Sequence, residues 1–194
     1  MNKQSIILSS DNVNITLVCM SDVEVIRFNA EYRKETVSLF YEYLDWFIKG
    51  FNDYTGSDFY EITGMKQSDY EDTIIPFLDL IPPKGSILLV KTDQGIAGMG
   101  VIHKLSNDTG EIKRMYIRPQ FRRRGYARIL LSELLRLGRG LGCTRFLLDS
   151  PRWSMSHGLY SSFGFDQVVE YPESEISAMF PTLTENWIFM EKIE

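Results

Sequence analysis

Apolar and polar positions change their period several times along the chain, and each change predicts an element. Val23-Glu24-Val25-Ile26-Arg27-Phe28 alternates as a first strand does. From Ala30 to about Lys49, the residues Val37, Phe40, Tyr41, Leu44, Phe47 and Ile48 recur at spacings of three and four. That spacing predicts a helix with one buried face, stopped at Gly50. Residues 51 to 85 break the pattern at Tyr54, Gly56, Gly64 and Pro76, and a helix over Gln67 to Leu80, capped by Ser68, is expected within them. Ile87-Leu88-Leu89-Val90, the turn Asp93-Gln94-Gly95 and Ile96 to Leu105 read as a hairpin. A second turn leads into Glu111 to Ile117, which Arg118-Pro119 ends because proline cannot donate to a ladder.

Ala127, Leu130, Leu131, Leu134, Leu137 and Leu141 form the clearest helical stripe, ended by Gly140 and Gly142. Thr144 to Asp149 reads as a strand, Ser154 to Phe163 as a short helix, and Phe165 to Glu170 and Trp187 to Lys192 as two further strands. This order is mixed and not a regular βαβα alternation. The expected class is α+β, with a mostly antiparallel, partly parallel sheet.

Composition narrows the picture. The 194 residues are 44% hydrophobic and 24% charged, which excludes a disordered chain. The expected organisation is an extension over residues 1–22 and a single domain over 23–194. No apolar run is long enough for a membrane span, and the start is too poor in apolar residues for a signal peptide, so no membrane partner and a cytoplasmic location are expected. Cys19 and Cys143 cannot build a disulfide framework, and with His103 and His157 so scattered no metal site is expected. A formal charge of −5 argues against nucleic acid as the main partner.

The stretch from Met115 to Leu130 carries the chemistry. A strand feeds a loop whose Gly125 and small Ala127 open a long helix, so unpaired backbone N–H groups and the positive dipole end converge on one spot. Such a spot suits a phosphate, with Arg122, Arg123, Arg124 and Arg128 supplying charge around it. The competing reading is a run of arginines that is only a solvated face.

Arg122-Arg123-Arg124-Gly125-Tyr126-Ala127 fits [RQ]-x-x-G-x-[GA], the hallmark of the GNAT superfamily of acyl-coenzyme A dependent N-acetyltransferases, and the chain resembles that family. Glu111 to Pro119 looks like the family's fourth strand, and Leu159-Tyr160-Ser161-Ser162-Phe163-Gly164-Phe165 like its L-Y-x-x-x-G-F segment. The resemblance runs from about Val25 to Lys192, but Gly50 to Gly85 carries none of it. It implies a splayed sheet in which the strands Glu111 to Ile117 and Thr144 to Asp149 part to admit acetyl-coenzyme A. Backbone groups of Met115, Tyr116 and Ile117 would then pair with the pantetheine arm, and those of Arg122 to Ala127 would cradle the pyrophosphate.

Transfer of an acetyl group to an amine needs an acid, a base and an oxyanion site. Tyr160 aligns with the family's general-acid tyrosine, against a reading as an aromatic packed beside Phe163 and Phe165. Glu111 stands where family members with a direct glutamate base carry it, with His103 as a rival. A backbone N–H of Met115 or Ile117 is expected to hold the oxyanion. For the acceptor, nine aromatics fall between Phe40 and Tyr60. Tyr43 and Trp46 are the candidate substrate-binding residues among them, while core packing explains most of the others. Glu173 and Glu175 are further candidates in the segment before the last strand.

The expected activity is therefore acetyl transfer from acetyl-coenzyme A to an amine of a small molecule or peptide, by direct transfer and without a nucleic-acid or membrane partner. The alternative is a non-catalytic acyl-coenzyme A sensor or regulatory subunit. Dimers are common in the family, which leaves a homodimer open.

Overall fold

The computed structural model describes residues 16–20 and 23–194. Eight strands form one sheet: β1 (Thr16–Met20), β2 (Val23–Arg27), β3 (Gly85–Thr92), β4 (Gly95–Lys104), β5 (Thr109–Ile117), β6 (Arg145–Pro151), β7 (Asp166–Val168) and β8 (Trp187–Ile193). Their spatial order is β1-β2-β3-β4-β5-β6-β8-β7, and every pairing is antiparallel except β5 with β6. The sheet is mixed and mostly antiparallel, as expected. The segment read as an N-terminal extension supplies the edge strand β1.

Both faces of the sheet are covered. On one lie α1 (Arg33–Thr55), α2 (Phe59–Thr63), α3 (Tyr70–Leu78) and the chain around α6 (Glu175–Met179); on the other lie α4 (Tyr126–Gly140) and α5 (His157–Ser161). Along β3, Ile87 and Leu89 join the first core while Leu88 and Val90 join the second. A strand buried on both sides reads in sequence as an unbroken apolar run, which is why Ile87 to Val90 shows no alternation. The stripe on α4 buries Leu130, Leu131, Leu134, Leu135 and Leu137 in the second core.

The first helix does not stop at Gly50 as expected. It runs on to Thr55 and ends at Gly56, whose φ of 71° is the left-handed conformation that closes a helix. Gly50 serves another purpose, because a Cβ there would fall 2.2 Å from Nε1 of Trp153. A missing side chain lets the indole lie against the helix. The irregular region also holds α2, which went unforeseen although its signals are present: Asp58 accepts from the N–H groups of Tyr60 and Glu61, and Gly64 closes the other end. The helix expected over Gln67 to Leu80 is shorter, Tyr70–Leu78 behind a 3₁₀ turn, and Ser68 does not cap it.

Candidate active site

The parallel pairing of β5 with β6 covers only Thr109↔Arg145, Gly110↔Phe146 and Glu111↔Leu147. Beyond Glu111 the two strands part, and β6 continues to Pro151 paired with β8 alone. The edge of β5 from Lys113 to Ile117 that faces this gap has no ladder partner, so its backbone groups stand available to an extended ligand. Within this stretch β5 bulges. Val101 pairs with Lys113 and Met99 with Tyr116, so Arg114 and Met115 together oppose Gly100, and Arg114 takes a φ of 53°.

The arginine loop lies at the end of β5. Gly125, with φ 83°, immediately precedes α4, and no atom lies within 4 Å of where its Cβ would stand. The first returning bonds of the helix come from Arg128 and Ile129, both to the Gly125 carbonyl. The N–H groups of Tyr126 and Ala127 therefore enter no intrahelical bond. The arginines divide. Arg122 folds back, donating from Nε to the Ile117 carbonyl at 2.8 Å and lying over the Tyr116 ring, whereas Arg128 lies over Phe163 and donates to Ser162. Arg124 lies over Phe121, and all four arginines are exposed.

At the other end of the gap is an aromatic pocket of about 650 Å³ with its open mouth included. Tyr43, Phe47, Phe59, Tyr70, Phe180 and Trp187 make most of its wall. Its charged groups are Arg114 from β5, Asp149 from β6 and Glu175 from α6. Nη2 of Arg114 donates to both oxygens of Glu175, at 2.9 and 3.0 Å, and the guanidinium lies over the rings of Tyr43 and Phe77. Burial alone would raise the Glu175 carboxyl, but Arg114 and Lys113 outweigh it and hold it at about 2. Asp149 accepts from Ser174 Oγ at 2.8 Å and makes no close ion pair among the described residues, although its charge acts on Lys113 and Arg114.

A wider cleft lined by more charged side chains adjoins this pocket, and Glu175 borders both. His103, Glu111, Lys113 and Glu173 line the cleft, with Asp69 and Asp72 from the opposite side. Glu111 is only 2% exposed; it accepts from Tyr171 Oη at 3.0 Å and lies 3.2 Å from Lys113 Nζ. Burial raises its carboxyl above the ordinary range, against the pull of Lys113. Burial also lowers His103.

Tyr160, on α5, packs edge-on against Phe165. Burial pushes its phenol up to about 12, against a hydrogen bond with Ser156 and with smaller upward contributions from Tyr43 and Asp149. Ser156 in turn bonds Ser154 at 2.7 Å and Ser150 at 3.3 Å.

The fold thus brings Met115, Tyr116, Ile117 and the loop from Arg122 to Ala127 to one gap. Tyr43 is in the aromatic pocket, but Trp46 is not in its wall: it packs against Tyr43 and Tyr116 from behind. Glu175, one of two acidic candidates in its segment, is the counter-ion of Arg114. Sequence reasoning passed over Asp149 and Arg114, since a charged residue at a strand end looks like a solvated terminus. Only the parting of β5 from β6 puts them at a pocket.

Comparison with known proteins agrees with this geometry. The sequence model described as the acetyltransferase (GNAT) family matches residues 37–165. An uncharacterised N-acetyltransferase of Schizosaccharomyces pombe is 30% identical over 98 residues, which is 49% of this chain and 60% of that protein. Among solved structures, the PaiA N-acetyltransferase of Thermoplasma acidophilum, in complex with coenzyme A, superposes with a TM-score of 0.65 at 17% identity, covering 90% of this chain and 100% of that one. An acetyltransferase of Streptococcus agalactiae gives 0.61 at 18% identity over the same shares. With the splayed strands, the left-handed glycine before α4 and a family match running from the first helix to Phe165, the chain belongs to the acetyltransferase (GNAT) family.

Proposed function

We propose that the protein moves an acetyl group from acetyl-coenzyme A to an amine of a small molecule or peptide, directly and without a covalent enzyme intermediate. The observation that carries this reading is the gap between β5 and β6, which joins the arginine loop at one end to the aromatic pocket at the other. The residues present fit the coenzyme. The opening N–H groups of α4 and the clear space above Gly125 suit a pyrophosphate, and the unpaired edge at Met115, Tyr116 and Ile117 suits the amides of a pantetheine arm. When bound, acetyl-coenzyme A supplies the activated thioester.

The remaining chemistry belongs to the chain. Acetyl transfer to an amine requires that the nitrogen lose protons, that an oxyanion be held and that a thiolate be protonated. Tyr160 is the proton donor: with its phenol raised to about 12 it stays protonated at neutral pH. Ser156 beside it pulls the phenol the other way, but by less than burial raises it. Ser154 and Ser150, bonded to Ser156, give a route for reprotonation. Glu111 is the base, and burial brings its carboxyl closer to neutral pH than an exposed glutamate. A backbone N–H on the open edge of β5, at Met115 or Ile117, holds the oxyanion.

Calorimetric titration with acetyl-coenzyme A, followed by thiol release against a panel of amines, tests the proposal. Binding with amine-dependent release supports it. Binding without release on any amine favours an acyl-coenzyme A sensor, and no binding overturns the reading of the loop.

A further inference from the structure

We propose that Asp149 selects the acceptor, and that the acceptor is a primary amine of single positive charge carried on an aromatic or otherwise apolar body. This rests on the transferase reading above and names the substrate class of the same site.

The argument starts from charge. Five ionisable side chains meet around the parting of β5 and β6: Lys113, Arg114, Glu111, Glu175 and Asp149. Arg114 is spent on Glu175, and Lys113 is shared between Glu175 at 3.1 Å and Glu111 at 3.2 Å. Two cations against three carboxylates leave one negative charge, and Asp149 is the carboxylate that makes no close ion pair among the described residues, although its charge still acts on Lys113 and Arg114. It faces a pocket whose other walls are mainly aromatic and aliphatic. A carboxylate without a close ion pair beside low-dielectric apolar walls attracts a ligand cation more strongly than one in open solvent does. The aromatic side chains Phe47, Phe180 and Trp187 in the wall bury the group that carries the ammonium.

The same arrangement argues against two other classes. An α-amino acid brings a carboxylate, but the pocket's one guanidinium is already paired on both carboxylate oxygens by Glu175. A polyamine brings further cations, but the pocket's other carboxylate, Glu175, is already paired with Arg114 and Lys113, and the further carboxylates Asp69, Asp72 and Glu173 line the adjoining cleft instead.

Asp149 is also well placed for chemistry. It lies two residues beyond Leu147, the register partner of Glu111, so side-chain alternation puts Asp149 on the face of the sheet that carries Leu147. Its charge contributes to the raised phenols of Tyr43 and Tyr160. A nitrogen held there is within electrostatic reach of the proposed acid.

The test uses 2-phenylethylamine, L-phenylalanine and spermidine, in two readouts. Calorimetry on the protein saturated with coenzyme A should give binding of 2-phenylethylamine at least about tenfold tighter than of the other two. Asp149→Asn should weaken that binding about tenfold or more and Asp149→Glu should restore part of it, while affinity for acetyl-coenzyme A stays as in the wild type. In thiol release, Asp149→Asn should raise KM for 2-phenylethylamine more than it lowers kcat. Equal or preferred binding of L-phenylalanine or spermidine overturns the inference, as does unchanged 2-phenylethylamine affinity in Asp149→Asn. The wild-type ranking decides the matter if the variants do not fold. Failure of the transferase reading is separate: it is absence of acetyl-coenzyme A binding, or of release with every amine, and the same amine calorimetry repeated on the protein without coenzyme A measures binding at Asp149 independently of both.

Discussion

Arg114 and Glu175 meet in a part-buried ion pair in which one guanidinium nitrogen reaches both carboxylate oxygens, at 2.9 and 3.0 Å. Lys113 reaches the same carboxylate at 3.1 Å, although consecutive residues of a regular strand leave by opposite faces. The positive φ of Arg114 and the bulge around it turn both cations toward α6. Glu175 thereby ties α6 to the parted strand and separates the two cavities. Glu175→Ala leaves Arg114 and Lys113 short of a counter-charge and should cost about 2–4 kcal/mol, read from denaturant unfolding. A change within about 0.5 kcal/mol would show that the pair does not hold the segment.

The same pair sets an acid limit on stability. The folded Glu175 carboxyl lies at about 2, below its unfolded value of 4.5. A carboxyl depressed by folding contributes its full stabilisation above the unfolded value and loses it as pH falls toward the folded one. Wild-type protein should therefore lose stability between about pH 5 and pH 2 more steeply than Glu175→Gln, with a difference of up to about 3 kcal/mol. Parallel curves for the two proteins in urea at stepped pH would contradict this.

Gly50 lies inside α1, where alanine is intrinsically better by about 1 kcal/mol. The added methyl would fall 2.2 Å from Nε1 and 2.5 Å from Cδ1 of Trp153, an indole that also packs on Phe47, Phe51 and Trp187. Overpacking should outweigh propensity, so Gly50→Ala is expected to be destabilising by about 1–3 kcal/mol and to alter tryptophan fluorescence. A stabilised variant with unchanged emission would mean that the indole moves aside freely.

Gly50 also shows where sequence reading stops. A glycine at the end of an apolar stripe carries the local mark of a helix stop, and the residue that explains it, Trp153, is remote in the chain. The conformation of the loop from Arg122 to Ala127 was legible because it is local: a left-handed glycine followed by the first N–H groups of a helix. The alternation of Val23 to Arg27 and the stripe of α4 were legible for the same reason, each being one face of one element. Asp149 and Arg114 were not, since their surroundings arise from where a parallel pairing ends and from a bulge, neither of which has a composition.

At Gly125 two effects can be separated. The φ of 83° makes any side chain strained by about 1–2 kcal/mol, but there is open space where a Cβ would stand. Gly125→Ala should therefore weaken acetyl-coenzyme A binding modestly, about tenfold or less. Gly125→Glu places a carboxylate where the pyrophosphate is proposed to approach and should abolish binding in calorimetry. Equal affinities for the two variants would show that strain, and not the approach of an anion, is what the glycine relieves.

The acid and base assignments make opposite demands on a pH profile. A base must be unprotonated, so turnover should rise with pH through the Glu111 carboxyl, which burial lifts above the ordinary glutamate range. The acid must be protonated, and a Tyr160 phenol at about 12 keeps the alkaline limb above about pH 10. Glu111→Gln should lower kcat about 10²-fold or more and remove the acidic limb, while Tyr160→Phe should lower kcat by a similar factor, leave the acidic limb in place and bind acetyl-coenzyme A as the wild type does. Steady-state rates from pH 5 to 10, with chemistry shown to be limiting, distinguish these outcomes. An acidic limb that survives in Glu111→Gln would overturn the assignment of Glu111 as the base.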